Sequence, residues 1–332
     1  MRTSTILFAS ILAVAAFTGC GKNDPANGDD DASPDAAGSG DGSAAFSVRS
    51  SDLTLQPGDE ILKCYYFHTS NTTPVPVNKW VSHMTAGSHH LILYFPSGGT
   101  NSQADGTIDD NCGVGGSVTD VPIWVYASQT ADQELDLPSD DGAGKPLAQL
   151  IQPNQAAYIQ MHYINTTDSV QTVHDEISAY GLDTAAAYTQ TAAYITYHQG
   201  ISIPPMSTGT TATGNCPAPA GVKFWTMSSH SHKQSVHTQI MDGANMVFES
   251  DDWEHPGAVN WMAAPFYTFT SPKITFSCTY DNNNPNDPNY TKTIVTGQSA
   301  ATNEMCMATG YIFPAATYKG CICQSPTQCF SN

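Results

Sequence analysis

The feature that most limits what this chain can fold into is a series of short apolar runs separated by turn residues. Nine runs rich in Val, Ile, Tyr, Phe and Thr occupy residues 61–67, 90–95, 121–127, 156–164, 192–197, 222–227, 238–248, 273–280 and 306–313. The breaks between them contain Pro-Gly, Gly-Gly, Asp-Gly and an Asn-rich segment, which favour turns. Helical periodicity is almost absent, although residues 146–151 suit one or two helical turns. The pattern predicts an all-β fold of antiparallel strands, a sandwich or a jelly roll.

Residues 46–332 are long enough for two ordinary domains or one large β-domain. A candidate boundary lies at residues 200–219, where I-P-P precedes a run of Ser, Thr, Gly and Ala. It divides the chain into residues 46–199 and 200–332, each of sandwich size. We therefore expect two domains in tandem, although the halves show no sequence repeat.

The amino-terminal residues predict export and lipid attachment. A basic start and an apolar stretch at residues 6–17 form a signal peptide, residues 1–19, that is too short to span a bilayer. It ends in F-T-G-C, which is similar to a bacterial lipobox, so Cys20 is the expected site of acylation; an ordinary secretory signal is the alternative. Residues 20–45 predict a disordered, acidic Gly/Ser/Asp tether. We expect the protein in the bacterial cell envelope, facing the periplasm or exterior and bound to the membrane only through Cys20.

Composition excludes one class of partner and indicates disulfides. The formal net charge is −19, and residues 46–332 carry 9 basic and 24 acidic residues, so a nucleic-acid partner is not expected. Eight cysteines remain besides Cys20, an even number in a chain with an export signal. Cys321 and Cys323 lie too close together to bridge each other without strain. The other six are Cys64, Cys112, Cys216, Cys278, Cys306 and Cys329.

Two groups of histidines are candidate metal ligands. His230 and His232 lie two residues apart, so on a strand both imidazoles point to one side. His89 and His90 begin an apolar strand and His162 lies within another, where a polar ring needs a partner. Adjacent residues point to opposite faces, so a shared ion requires a bulge or bend at His89 and His90. Hydrogen-bonded core histidines are the alternative. The histidines given no role, beyond contact with a ligand, are His68, His83, His174, His198, His237 and His255.

A thioether near the second pair favours copper over zinc. Met305 and Met307 share one strand face, so periodicity cannot choose between them. Methionine is a soft ligand that favours Cu(I), and imidazole binds both oxidation states of copper, whereas zinc more often takes cysteine or carboxylate. A methionine in a strand is, however, most often a packing residue.

Five short stretches contain the candidate ligands or the cysteines near them. In chain order they are S-H-H-L-I-L-Y-F, I-Q-M-H-Y, H-S-H, F-S-C-T-Y-D-N and T-G-Q-S-A-A-T-N-E-M-C. In this order they resemble the copper type II, ascorbate-dependent monooxygenases, the family of peptidylglycine α-hydroxylating monooxygenase and dopamine β-monooxygenase. The resemblance implies two jelly-roll domains that hold one copper ion each across a solvent-filled cleft. It assigns electron transfer to the copper ligands His89, His90 and His162. It assigns catalysis to His230, His232 and Met305, and so chooses Met305 over Met307.

The resemblance also implies a disulfide framework and a reaction. The implied pairs are Cys278 with Cys306 and Cys64 with Cys112, while Cys216 pairs with Cys321 or Cys323 and the other of these with Cys329. The reaction is hydroxylation of a C–H bond with O2, with two copper ions per chain and ascorbate or another reductant as cosubstrate.

Departures from the family concern the substrate. Peptide-amidating members place an Arg, which binds the substrate carboxylate, two residues before the His-x-His, and here that residue is Ser228. The Asn and Tyr that follow their ligand Met are matched by Met307 and Thr309. We therefore expect a small or peptide-like substrate other than peptidylglycine, and a monomeric enzyme. A copper-storage lipoprotein without catalysis is the alternative, and an adhesion or glycan-binding module without copper is a third hypothesis.

Overall fold

The computed structural model describes residues 43–110, 122–183 and 185–331. The first thirteen strands are β1 (Phe46–Arg49), β2 (Leu53–Leu55), β3 (Glu60–His68), β4 (Val75–Met84), β5 (Ser88–Phe95), β6 (Ile108–Asp109), β7 (Ile123–Ser128), β8 (Asp132–Asp136), β9 (Leu147–Ile151), β10 (Ala156–Ile164), β11 (Gln171–Val173), β12 (Asp175–Gly181) and β13 (Thr189–Gln190). The next twelve are β14 (Ala192–His198), β15 (Ser202–Ile203), β16 (Ser207–Pro217), β17 (Lys223–Ser231), β18 (Ser235–Asp242), β19 (Asn245–Ser250), β20 (Val259–Asn260), β21 (Lys273–Asn282), β22 (Ile294–Val295), β23 (Cys306–Phe313), β24 (Lys319–Ser325) and β25 (Gln328–Ser331).

These strands confirm the predicted all-β class, since the described residues contain no helix. Consequently, no described segment is a helix long and apolar enough to cross a membrane. The predicted signal peptide, the acylated Cys20 and nearly all of the tether lie outside the described residues, as does Cys112.

Strands β1–β13 form a sandwich of two main sheets. One has the order β1-β12-β4-β9-β13 with β8 beside β4, and the other has the order β6-β3-β10-β5-β7. Trp80 of β4 stacks on Tyr126 of β7 with ring centroids 5.5 Å apart, so the core lies between these sheets. The Trp80 indole donates a hydrogen bond to Gln149 at 2.6 Å, which satisfies its buried polar group. This core supports β5 and β10, which carry three candidate ligands.

Strands β14–β25 form a second pair of main sheets, with the orders β20-β17-β23-β14-β24-β25 and β16-β21-β18-β19. Phe276 of β21 packs in one apolar core with Phe224 of β17 and Ile312 of β23. Most strand pairs are antiparallel as predicted, but β9 with β13 and β14 with β24 are parallel. The second core supports β17 and β23, which carry the remaining candidate ligands.

Three disulfides stabilise the second half, and they are Cys216–Cys321, Cys278–Cys306 and Cys323–Cys329. The first two each connect one main sheet to the other. These pairings match those implied by the family resemblance, and Cys321 rather than Cys323 is the partner of Cys216. The four clustered cysteines near β24 are all oxidised, so their sulfurs are not free to bind a metal ion. The implied pairing of Cys64 with Cys112 involves a residue outside the described part of the chain.

Strand pairing changes from one half to the other at Thr191. Among the described residues, no sheet combines a strand of β1–β13 with a strand of β14–β25. The predicted boundary after residue 199 places β14 in the first half, yet β14 pairs with β23 and β24. The described residues belong to one compact unit, so the division into two tandem domains stays a prediction.

Two local predictions were wrong, and one strand lies where none was predicted. The candidate boundary at residues 200–219 contains β16, an edge strand whose Thr- and Gly-rich outer side faces solvent and therefore lacks an apolar pattern. The helical turns expected at residues 146–151 are instead β9, which pairs with β4 and β13. The single run at residues 238–248 is a hairpin, β18 and β19, that turns at Gly243 with φ +61°.

Asp175 makes the stability of the first half depend on pH. It is fully buried, and its carboxylate accepts a hydrogen bond from Tyr163. Burial raises its pKa to about 7, against the lowering effect of that bond. Between about pH 4 and pH 7 the folded state therefore keeps a proton that the unfolded state has lost. Stability falls with rising pH across that window, by about 4 kcal/mol in total.

Asp175→Asn is expected to remove this pH dependence, because the amide resembles the protonated acid. We expect urea denaturation to show that the free energy of unfolding of the variant, relative to that of the wild type, increases by about 4 kcal/mol between pH 4 and pH 8. Asp168→Asn, at an exposed carboxylate, is the control. Parallel stability curves for wild type and Asp175→Asn would show that Asp175 ionises normally.

Candidate metal centre

A bulge in β5 brings His89 and His90 to the same side of the sheet. In the pairing of β10 with β5, His162 lies opposite His90, and the next pair is Tyr163 with Ser88, which leaves His89 as the extra residue. The rings of His89 and His90 are 5.1 Å apart, and both lie 5.0–5.1 Å from the ring of His162. Of the bulge or bend that a shared ion requires, the structure has the bulge.

His230 and His232 lie at the carboxyl end of β17, with ring centroids 5.3 Å apart. His230 is opposite Met307 of β23. Immediately after the strand, the carboxylate of Glu304 accepts hydrogen bonds from the backbone N–H groups of His232 and Gln234, at 3.0 and 2.7 Å. Burial raises the pKa of Glu304 to about 8, although these bonds act in the opposite direction. The turn is thus held where both imidazoles meet.

The two histidine groups form one cluster. The ring centroid of His89 lies 5.3 Å from that of His230 and 5.6 Å from that of His232. The ring centroids of His90 and His230 are 5.2 Å apart. The rings form two sets of three, and His89 belongs to both. In each set, one nitrogen of each ring lies within 4.8 Å of one nitrogen of the other two rings. The first set is His89, His90 and His162, and the second is His89, His230 and His232. The implied separation by a solvent-filled cleft is therefore not what the structure shows. The packing of β5 against the end of β17 buries all five rings, at 0–7% exposure.

Hydrogen bonds orient four of the five rings through one nitrogen each. The acceptors are side-chain or backbone oxygens, so in each case the bonded nitrogen carries a proton and donates it. The pairs are His90 Nε2 with Gln160 Oε1 at 3.4 Å, His162 Nε2 with Glu60 Oε1 at 2.8 Å, His230 Nδ1 with Gln129 Oε1 at 2.6 Å, and His232 Nδ1 with the Asn303 carbonyl at 3.1 Å.

The second nitrogen of each ring is buried and has no hydrogen-bond partner. These atoms are His89 Nε2, His90 Nδ1, His162 Nδ1, His230 Nε2 and His232 Nε2. Burial, together with repulsion among the rings, lowers the pKa of three of them well below the ordinary imidazole value, namely His89, His90 and His230, and lowers that of His232 to about 4. Buried imidazoles whose second nitrogens face one cluster without a hydrogen-bond partner have the properties of a metal-ligand set.

Glu60 connects the two halves beside the cluster. One carboxylate oxygen contacts His162 and accepts the backbone N–H of Ala300 at 2.7 Å, while the other accepts the hydroxyl of Ser299 at 2.6 Å. Burial raises the pKa of Glu60, but these hydrogen bonds outweigh it and lower the pKa to about 2. The segment that Glu60 holds continues to Asn303, whose carbonyl orients His232. Sequence reasoning missed Glu60 and Gln129, because nothing local relates them to histidines far along the chain.

Met305 and Met307 both line a cavity that also contacts His90 and His230. Met305 is 7% exposed, its carbonyl accepts the Tyr280 hydroxyl at 2.8 Å, and it precedes the disulfide-bonded Cys306. The predicted Met305 thus lines the same cavity as two rings of the cluster, and so does Met307. The cavity has a volume of about 420 Å³, and its walls come from both halves of the chain.

The six histidines without a predicted role divide into three kinds. Four lie near carboxylates at the surface: His68, His83, His174 and His237. His198 is buried, and its Nδ1 accepts a hydrogen bond from the backbone N–H of Gly200 at 3.2 Å. His255 lines the cavity, and Trp253 from the same loop contacts the His89 ring at 5.5 Å. This loop was not identified from the sequence as part of the site.

No family model and no curated protein matches the chain. Among solved structures, the major capsid protein P2 of bacteriophage PM2 is similar at 7% identity, with a TM-score of 0.31, over 80% of this chain and 97% of that one. PNGase F, a glycosylasparaginase from Flavobacterium meningosepticum, is similar at 8% identity, with a TM-score of 0.33, over 85% and 100%. Likenesses this weak carry no argument about what this chain does.

Proposed function

We propose that the protein is a copper-dependent monooxygenase that hydroxylates a C–H bond of a small or peptide-like molecule with O2 and a reductant such as ascorbate. One observation carries the proposal: five buried imidazoles each leave one nitrogen without a partner in a single cluster. Leaving such an atom unpaired costs about 1–3 kcal/mol, and a bound cation offsets that cost for all five together. The order of the five sequence stretches supports the same chemistry.

The donor set fits copper. Imidazole serves several transition metals, and the adjacent Met thioether favours copper among them. A neutral His89 offers one free nitrogen, Nε2, and so binds one ion. If His89 binds the first ion together with His90 and His162, the ligands of the second ion are His230, His232 and Met305. This assignment keeps the two ligand sets implied by the family resemblance, without the separation between them.

The chain's own residues position these ligands and exclude water. Gln129 reaches from the first half to His230, and Glu60 ties His162 to the Ser299 segment, so the rings are oriented across the contact between halves. Bound copper would supply the one-electron redox chemistry and the position where O2 binds. In the overall reaction, the substrate, O2, two electrons from the reductant and two protons give the hydroxylated product and water. The cavity beside His90 and His230 admits the substrate.

A copper-storage or copper-delivery lipoprotein is the second candidate. Burial of all five imidazoles suits retention of copper, but storage requires no substrate-sized cavity against the ligands, and the structure has one. Attachment through an acylated Cys20 in the bacterial envelope remains part of the proposal for either function.

Copper content and O2 consumption test the proposal together. The purified protein is expected to bind two copper ions per chain and to consume O2 with ascorbate faster than His230→Ala does. His83→Ala, at a surface histidine paired with Asp132, is the matched control and should resemble the wild type. Absence of stoichiometric copper would overturn the proposal. Two coppers that pass to a Cu(I) acceptor without any O2 consumption would establish the storage function instead.

A further inference from the structure

We infer that the cavity beside the histidine cluster takes an uncharged, largely apolar substrate with a flat aromatic ring, and that it rejects carboxylates and ammonium groups. The inference rests on the proposed function in naming this ligand a substrate. The binding preference itself follows from the cavity walls.

The cavity lies where a bound molecule would meet the cluster. It contacts His90 and His230 directly, and its volume of about 420 Å³ is within the range of small-molecule pockets. His90, Ile92 and Tyr94 alternate along one face of β5 and all line it. The four residue steps from His90 to Tyr94 span about 13 Å, so a ligand against this wall reaches from the cluster to Tyr94.

The described walls of the cavity contain histidine as their one titratable side chain besides tyrosine. Among the described residues that line it there is no Asp, Glu, Lys or Arg. A carboxylate or ammonium group entering it would lose its hydration without meeting a carboxylate, guanidinium or ammonium side chain, which is unfavourable. Ser228, two residues before His230, donates its hydroxyl to the Gly257 carbonyl at 2.5 Å, so it is already engaged. The negative charge of the surrounding protein also disfavours the approach of anions.

Aromatic side chains from both halves form the walls. Trp124 of β7 and Tyr197 of β14 are both partly exposed in the cavity, and Tyr94 packs edge-on behind Trp124 at 5.5 Å. Neither the Trp124 indole N–H nor the Tyr197 hydroxyl bonds to another described residue, so each can donate to a ligand carbonyl or hydroxyl oxygen. A flat ring between these walls gains offset or edge-to-face contacts. The walls thus select a neutral ring with a polar substituent.

Three probes with the same ring test the preference. They are 2-naphthalenemethanol, which is neutral, 2-naphthoate, which is anionic, and 2-naphthylmethylammonium, which is cationic. Calorimetric titration of the full metal-free protein avoids direct coordination of the ionic probes, and the copper-loaded protein is measured in parallel. We expect the neutral probe to bind at least about 10-fold more tightly than either ion. Equal affinities, preference for an ion, or no binding of the neutral probe would overturn the inference.

Two variants place the binding in this cavity. Trp124→Ala should lower the affinity for the neutral probe by about 10-fold. Ser228→Arg should shift the binding preference toward 2-naphthoate, because the arginine supplies a cation. Phe330→Ala, at an exposed aromatic ring outside the cavity, should change neither. Unchanged binding in both folded cavity variants would contradict the assignment. Neutral preference without copper binding or O2 consumption would support the cavity assignment and overturn the proposed oxidation.

Discussion

His89→Ala is expected to lower the affinity for copper by more than about 100-fold. Loss of a residue that only orients a ligand lowers metal affinity by roughly 10- to 100-fold, and His89 is proposed to be a ligand itself. The reason is its position, because the His89 ring lies 5.1–5.6 Å from the other four imidazoles. One of its nitrogens also belongs to both sets of three. Its loss leaves the first set with His90 and His162 alone. O2 consumption should fall with copper content.

The same variant should not destabilise the metal-free protein. Without metal, His89 contributes a buried nitrogen that has no partner and crowds four other rings, so its removal relieves an unfavourable arrangement. The stabilisation that copper adds to the wild type should be smaller in the variant. These opposite effects distinguish a ligand from a packing residue.

Copper per chain, competition with a Cu(I) chelator, and urea denaturation with and without copper measure these effects. His83→Ala, whose ring pairs with Asp132 at 2.7 Å on the surface, is the control. A His89→Ala protein that keeps both copper ions at wild-type affinity would show that His89 is not a ligand. Marked loss of stability in the metal-free variant would assign it to packing.

Glu60→Ala is expected to destabilise the protein by about 3 kcal/mol or more, because three donors lose their acceptor. They are the ring of His162, the hydroxyl of Ser299 and the backbone N–H of Ala300. Copper affinity should also fall, by about 10- to 100-fold, since the orientation of His162 depends on Glu60. Glu60→Gln keeps one acceptor oxygen and should show smaller losses of both.

Urea denaturation and chelator competition again supply the measurements. Glu134→Ala is the matched control, because Glu134 is 62% exposed and pairs with Lys79 at the surface, where an ion pair contributes at most about 1 kcal/mol. If Glu60→Ala lost no more stability than Glu134→Ala, the contact between halves at Glu60 would be unimportant. If it lost stability but kept full copper affinity, Glu60 would support the fold without orienting the ligands.

Local spacing predicted the parts of the site that lie within a single strand. Adjacent His89 and His90 could serve one ion only across a bulge or bend, and β5 has the bulge. The two-residue spacing of His230 and His232 placed their rings on one side, where they lie 5.3 Å apart. Both inferences rest on the alternation of side chains along a strand, which is visible in any short stretch of sequence.

Contacts between distant segments could not be predicted in this way. Glu60 is 102 residues from His162, and Gln129 is 101 residues from His230. Neither has a local pattern that marks it as a histidine partner. Glu304 is different, because it directly precedes Met305 in sequence and could have been suspected from that position. Strand β16 was missed for a related reason, since an edge strand with one solvated side needs little apolar sequence.

The sequence by itself determined that the chain is built of strands, which histidines are candidate ligands, and that His89 and His90 can share an ion only across a bulge or bend. Only the tertiary structure decided that both histidine groups form one buried cluster around His89, beside a cavity whose described walls contain no Asp, Glu, Lys or Arg. The physical reason is the distance along the chain between the residues that interact. Alternation along a strand is set by neighbouring residues, whereas the meeting of β5 with the end of β17 depends on how the two pairs of sheets pack together, through a core in which Trp225 and Tyr311 join Tyr126.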